Sequence, residues 1–213
     1  MSAHPVADDV AAAGPNDEKA RQILDGARRI FLRDGFDGAS MNDIVRAAGV
    51  SKGTLYVYFP SKEELFAALI RHEKRQQAEQ ACAWADRGAD VRAALLDVGR
   101  RFMTVMLKPD HMALVRIVVA VAPKFPEIGR TFYETGPKYG ADRLAALIAR
   151  HAERGELVVD DPRRAAIDFT QLCQGDLHRR VTFAIDEAIS REEIAATVER
   201  AVDVFLAAYA PRP

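Results

Sequence analysis

Between Ser40 and Lys62 the chain encodes two helices too short to be stable by themselves, set around Gly49-Val50. Ser40-Met41-Asn42-Asp43 resembles a capping box with Asp in the usual Glu place. The stripe Ile44, Val45, Ala48 follows, and Gly49 ends the segment after barely two turns. Ser51 caps a second short segment, Lys52 to about Tyr58. Pro60 and the box Ser61-Lys62-Glu63-Glu64 then open a long amphipathic helix running to about Trp84. Helices of two turns do not persist in water, so both must pack on a neighbour. The spacing is that of a helix-turn-helix, whose second helix can enter a DNA major groove.

The neighbour precedes them. From Asp17 the residues Ile23, Ala27, Ile30 and Phe31 recur at helical spacing, with Asn16 or Asp17 as cap and Gly35 as stop. Residues 1–16 carry no Lys or Arg and no long apolar run, so they are expected to be a flexible tail rather than a secretory signal. Beyond Asp86 the pattern predicts helices near 90–107, 110–122, 127–153, 162–186 and 191–209. Asp161-Pro162 starts the fourth of these, and the box Ser190-Arg191-Glu192-Glu193 starts the last. Leu157-Val158-Val159 is too short to argue for a sheet. The expectation is an all-α protein: a three-helix helix-turn-helix domain over 17–62, joined to a helical bundle over 63–213.

Within the motif, Ile44, Val45, Ala48, Val50, Leu55 and Phe59 can form the buried side. That leaves Ser51, Lys52, Thr54, Tyr56 and Tyr58 as hydroxylated or cationic groups able to meet phosphates and base edges. Residues 17–62 hold eight Lys and Arg against six Asp and Glu, and the whole chain has a formal net charge of −1. Charge alone therefore does not establish DNA binding, and any basic surface must be local.

Gly-Val-Ser-Lys-Gly-Thr-Leu-Tyr-Val-Tyr-Phe-Pro-Ser-Lys-Glu-Glu-Leu, residues 49–65, resembles the recognition segment of the TetR family of bacterial one-component regulators. Phe31, Gly35, Phe36 and the Ser40-to-Ile44 opening extend the likeness over about residues 20–66. Phe125-Pro126-Glu127-Ile128, Phe132 to Pro137, Arg154 to Leu157, Asp161-Pro162 and Gly175-Asp176-Leu177 are similar to the AefR-like effector domain. The resemblance implies Lys52, Gly53, Thr54 and Tyr56 at the groove, and Ser40, Tyr58 and Lys62 on phosphates. It further implies a homodimer on a palindromic double-stranded operator, released by a small-molecule effector bound in the carboxy-terminal domain.

The stripes Ala166, Phe169, Cys173, Leu177, Val181, Ile185 and Ile194, Val198, Ala201, Val202, Phe205, Tyr209 advance by three or four. Two such helices can pair across a two-fold axis as a four-helix bundle, which makes Phe169, Cys173, Val181, Val198, Val202 and Phe205 the expected dimer contacts. Gly175 lies inside the first of the two. Apolar walls for an effector are sought in Phe102, Met103, Met106 and Met112, then in Phe132, Tyr133 and Cys173. His178 and Arg116 are the polar candidates, and Arg116, inside an apolar run, calls for a carboxylate.

Enzymes are disfavoured. The five histidines form no His-Glu-x-x-His, and neither a Gly-x-Ser-x-Gly elbow nor a phosphate-binding Gly-x-x-x-x-Gly-Lys-Ser/Thr occurs. No metal or cofactor is expected. The two cysteines, Cys82 and Cys173, suggest no disulfide framework and fit a reducing cytoplasm, and no apolar stretch is long enough for a membrane helix. The competing reading is a helical interaction or small-molecule-binding module for which Lys52, Thr54 and Tyr56 are incidental surface.

Overall fold

The computed structural model describes residues 15–81, 90–186 and 188–211, and among these it contains helices and no strand. The chain divides into two compact units. One comprises the residues up to Glu73 with Ile117–Phe132; the other comprises Lys74–Arg116 with the residues from Tyr133 on. The first unit thus runs past residue 62 and takes in a segment from much later in the chain. Of the expected tail, residues 1–14 lie outside the described residues, and so do residues 82–89, on which the expected helix end near Trp84 falls.

The first unit is built on α1 (Pro15–Gly38), α2 (Met41–Ala48), α3 (Lys52–Tyr58) and the first part of α4 (Lys62–Ala81). Helix α1 starts on the proline, whose missing N–H costs nothing there. It turns at Gly35, which holds φ 72°. The expected caps form. Ser40 Oγ accepts from Asp43 N at 3.1 Å, Ser51 Oγ from Thr54 N at 3.0 Å, and Ser61 Oγ from Glu64 N at 3.1 Å. Gly49 closes α2 in the left-handed conformation. Gln22 Nε2 donates to Ala48 O at 2.7 Å and Arg29 donates to Ala47 O, so α1 satisfies carbonyls that the end of α2 would leave open. Ile23, Ala27, Phe31, Ile44, Leu55 and Phe66 are buried beneath.

The second unit contains α5 (Val91–Met106), the start of α6 (Pro109–Val121), a π-helical turn Glu134–Lys138 after α7 (Pro126–Tyr133), and α8 (Tyr139–Glu153). It ends with α9 (Pro162–Gln174), α10 (Leu177–Thr182) and α11 (Arg191–Tyr209). Two expected helices are interrupted. Residues 127–153 pass through the π turn at Pro137, which has no N–H to give to a regular ladder. Residues 162–186 break at Gly175, whose φ 46°, ψ −134° is not helical and ends α9. Leu95, Val98, Met103, Leu144, Leu147 and Ile148 pack with the inner faces of α9 and α11 into one core. A Cβ on Gly99 would stand 2.6 Å from Val198 Cγ1, so α5 passes α11 more closely than any side chain there would permit.

Candidate nucleic-acid interface

Helix α3 is pinned from beneath. Leu55 is fully buried and Phe59 nearly so, while Lys52, Gly53, Tyr56 and Val57 point outward and Thr54 and Tyr58 are half-buried. No carboxylate occurs on α3. Lys52 Nζ lies 6.0 Å from the centre of the Tyr56 ring, and the hydroxyls of Ser51 and Thr54 are 2.8 Å apart. A Cβ on Gly53 would meet only Ser51 Oγ, at 3.9 Å, so the backbone there is open to approach. Ser40 is exposed at the start of α2, where its hydroxyl also bonds Asp43; that bond and Arg46 hold the Asp43 carboxyl below its ordinary range. The result is a rigid outward face of hydroxyl, ammonium, aromatic and apolar groups. Among all of these Val57 is 78% exposed, a residue that the sequence pattern placed neither in the core nor among the DNA-facing groups.

One expected DNA contact is differently employed. Lys62 Nζ donates to the carbonyls of Phe36 at 2.7 Å and Ala39 at 3.1 Å, with Asp37 O at 3.5 Å. The ammonium has three protons, and these carbonyls at the end of α1 take them, so Lys62 caps a helix instead of waiting for a phosphate.

The six expected dimer contacts also move. Phe169, Cys173, Val181, Val198, Val202 and Phe205 are all at most 3% exposed within one subunit, leaving them no area to offer a second. Phe169 and Phe205 meet edge to face at 5.4 Å, and burial pushes the Cys173 thiol up to about 12. The apolar side chains that these helices leave outside are Leu172 on α9 and Val204 on α11, with Phe183 and Ile185 following α10.

Of the effector candidates, Met103, Met112 and Cys173 are buried, and Phe102, Met106 and His178 are half-buried in the second unit. Phe132, half-buried, belongs to the first. Tyr133 is 54% exposed. Arg116 is exposed and donates to Thr182 O at 3.0 Å and to Val181 O at 2.5 Å, so the end of α10 satisfies it and no carboxylate is required. Sequence reasoning missed three buried polar groups, Lys74, His111 and His151. Phe66, Ile70 and Lys74 recur every four residues, so a cation on the apolar stripe of α4 was the available signal. Among the described residues no cluster suited to a metal ion occurs, and no helix is long and apolar enough to cross a membrane.

Residues 23–69 match the model of bacterial regulatory proteins of the tetR family, and residues 93–211 match that of the AefR-like transcriptional repressor carboxy-terminal domain. The transcriptional repressor AcnR of Corynebacterium glutamicum is 28% identical over 193 residues, 90% of this chain and 96% of that protein. Among solved structures, a TetR-family regulator from Mesorhizobium loti superposes with a TM-score of 0.88 at 26% identity, covering 93% of this chain and 100% of that one. The flavonoid-responsive regulator FrrA superposes with a TM-score of 0.79 at 34% identity, covering 92% and 99%. A capped helix-turn-helix with an acid-free outward face, followed by an AefR-like helical domain, makes this chain a member of the TetR family of DNA-binding transcriptional regulators.

Proposed function

We infer that the chain is a ligand-responsive repressor which binds a palindromic operator as a homodimer in the cytoplasm and leaves it when a small molecule occupies the carboxy-terminal domain. The observation that carries this reading is the outward face of α3, held rigid by Leu55 and Phe59 and free of carboxylates. On it Lys52, Thr54, Tyr56 and Val57 meet base edges, Gly53 admits the sugar-phosphate backbone, and Ser40, Ser51 and Tyr58 meet phosphates. Two such heads must sit about 34–36 Å apart, one helical turn of DNA, or a multiple of it. Pairing of α9 and α11 through Leu172 and Val204 supplies the second head. The name of FrrA, flavonoid-responsive, supports small-molecule control in a protein of this architecture.

The test is to sequence the genomic fragments that the purified protein retains, then measure fluorescence anisotropy on the recovered duplex and a scrambled one at several salt concentrations. An inverted repeat bound far more tightly than the scrambled duplex supports the reading. Equal affinity for both points to the interaction-module alternative.

A further inference from the structure

Helix α2 ends in a short turn, Gly49 and Val50, before Ser51 caps α3. Whatever fixes the end of α2 therefore fixes where the outward face of α3 points. The last four carbonyls of a helix lack partners within it, and in α2 all four are taken. Val50 N donates to Val45 O and Gly49 N to Arg46 O, both at 3.3 Å, which closes the turn on itself. Side chains of α1 take the other two: Arg29 donates to Ala47 O, and Gln22 Nε2 donates to Ala48 O at 2.7 Å. Lys19 Nζ donates to Gln22 Oε1 at 2.8 Å, which orients the amide with its NH2 group toward Ala48. Gln22, Gly26 and Arg29 are spaced by four and three residues, so they lie along one face of α1. Between the two donors the helices meet with no side chain of α1 intervening. A Cβ on the buried Gly26 would stand 2.6 Å from Ala48 Cβ and 2.7 Å from both Ala48 Cα and Ala48 N. That obstruction is backbone, which cannot swing aside as a long side chain does.

A two-turn helix has little rigidity of its own, so the seam with α1 decides its attitude. We propose that Gln22, Gly26 and Arg29 are positioning residues for operator reading: they clamp the end of α2 against α1 and thereby aim Lys52, Thr54, Tyr56 and Val57 at the base edges, without contacting DNA themselves. The inference rests on the outward face of α3 reading DNA. A base contact keeps its energy only within hydrogen-bond geometry, so a small tilt of α3 weakens every specific contact at once. The attraction to phosphates carries no sequence information and tolerates such a tilt.

The test measures anisotropy of the full-length protein on the recovered operator and a scrambled duplex, at several salt concentrations and at a temperature where circular dichroism shows each variant fully folded. Gln22→Met keeps the length of the side chain, removes the donor and leaves the charge unchanged. It should lower the ratio of operator to scrambled affinity roughly tenfold, the scale of one base contact. Affinity for the scrambled duplex and the salt slope should stay as in the parent. Arg29→Met should lower the same ratio, and Arg29→Lys, which still carries a donor, should recover most of it. Gly26→Ala should act in the same direction by displacing Ala48; if it fails to fold, the two donor variants still decide. A purely structural role would lower the melting temperature and leave the ratio of the folded protein unchanged. An unchanged ratio in either donor variant overturns the proposal, and so does a salt slope smaller in magnitude by about 1.8 per dimer in Arg29→Met, the mark of a phosphate contact. The two readings fail separately. If Lys52→Ala and Thr54→Ala keep the parent's ratio, α3 does not read the operator; if they lower it and the Gln22 and Arg29 variants do not, the reading stands and the clamp falls.

Discussion

Lys62 Nζ lies 2.7 Å from the carbonyl oxygen of Phe36 and 4.6 Å from the centre of the Phe36 ring, so one ammonium serves both the backbone and the side chain of one residue. The ring is itself packed against Phe31, Phe66 and Phe125 at 5.9, 5.3 and 5.4 Å. Lys62 therefore joins the start of α4 to the end of α1 at the edge of an aromatic cluster, and the head's geometry depends on it.

Lys62→Ala should accordingly behave as a stability mutant. Loss of a charged donor to half-buried carbonyls is worth about 1.5–3 kcal/mol, read as a lower urea midpoint with an unchanged m-value. The slope of log affinity against log salt should stay as in the parent. A slope smaller in magnitude by about 1.8 per dimer, the value for one phosphate contact per subunit, would return Lys62 to the DNA.

Val57 is exposed in the middle of α3 and has no role in the core. A methyl-bearing side chain presented to the major groove suits the thymine methyl group. Val57→Ala should leave stability within about 0.5 kcal/mol yet weaken operator binding by roughly 1 kcal/mol, with relaxed preference at one symmetric pair of positions. Anisotropy on single-base operator variants checks this. Undiminished discrimination at every position would remove Val57 from the reading surface.

Adjacent residues on α11 should separate folding from pairing. Phe205 is 1% exposed and Val204 is 43% exposed. Phe205→Arg puts an unpaired charge in the core and should unfold the subunit, costing more than about 4 kcal/mol. Val204→Arg should keep the helical circular dichroism and shift light scattering toward the monomer. A Val204→Arg variant that remains dimeric would locate the interface elsewhere.

Acid should test His111. Burial holds its folded pKa at about 3, below the ordinary 6.5, so the unfolded chain binds the extra proton between those values. Stability from keeping this ring neutral is complete above about pH 6.5 and falls by up to about 1.4 kcal/mol per pH unit as pH drops toward 3. Denaturant titrations from pH 7 to 4 should show a shallower loss for His111→Gln than for the parent. Parallel curves would mean that the imidazole does not resist protonation.

The amino-terminal half was legible because its signals are local. Ser40, Ser51 and Ser61 each cap the helix that follows them, since a hydroxyl three residues before an open N–H needs only its own backbone to act. Leu55 and Phe59 fall on the inner side for the same reason: a period of three to four fixes a face. Pro162 after Asp161 and the box at Ser190 located α9 and α11 equally well.

What the pattern could not supply was the partner of each face. The stripe through Phe169, Val198 and Phe205 is equally consistent with one subunit's core or a contact between two, and only packing against Leu95, Val98 and Leu147 assigns it to the core. Lys62 reads as a phosphate contact and Arg116 as a cation in want of a carboxylate because the carbonyls they bond belong to Phe36 and Val181, 26 and 65 positions away. Gly175 and Pro137 left the helical periodicity intact on either side, so their breaks show only in the backbone. Lys74 and His111, 37 residues apart, come within 3.2 Å of each other only when α4 and α6 are brought side by side. A sequence specifies which face is apolar through local periodicity, whereas the choice of what covers that face, and which distant charges meet, is a long-range packing outcome.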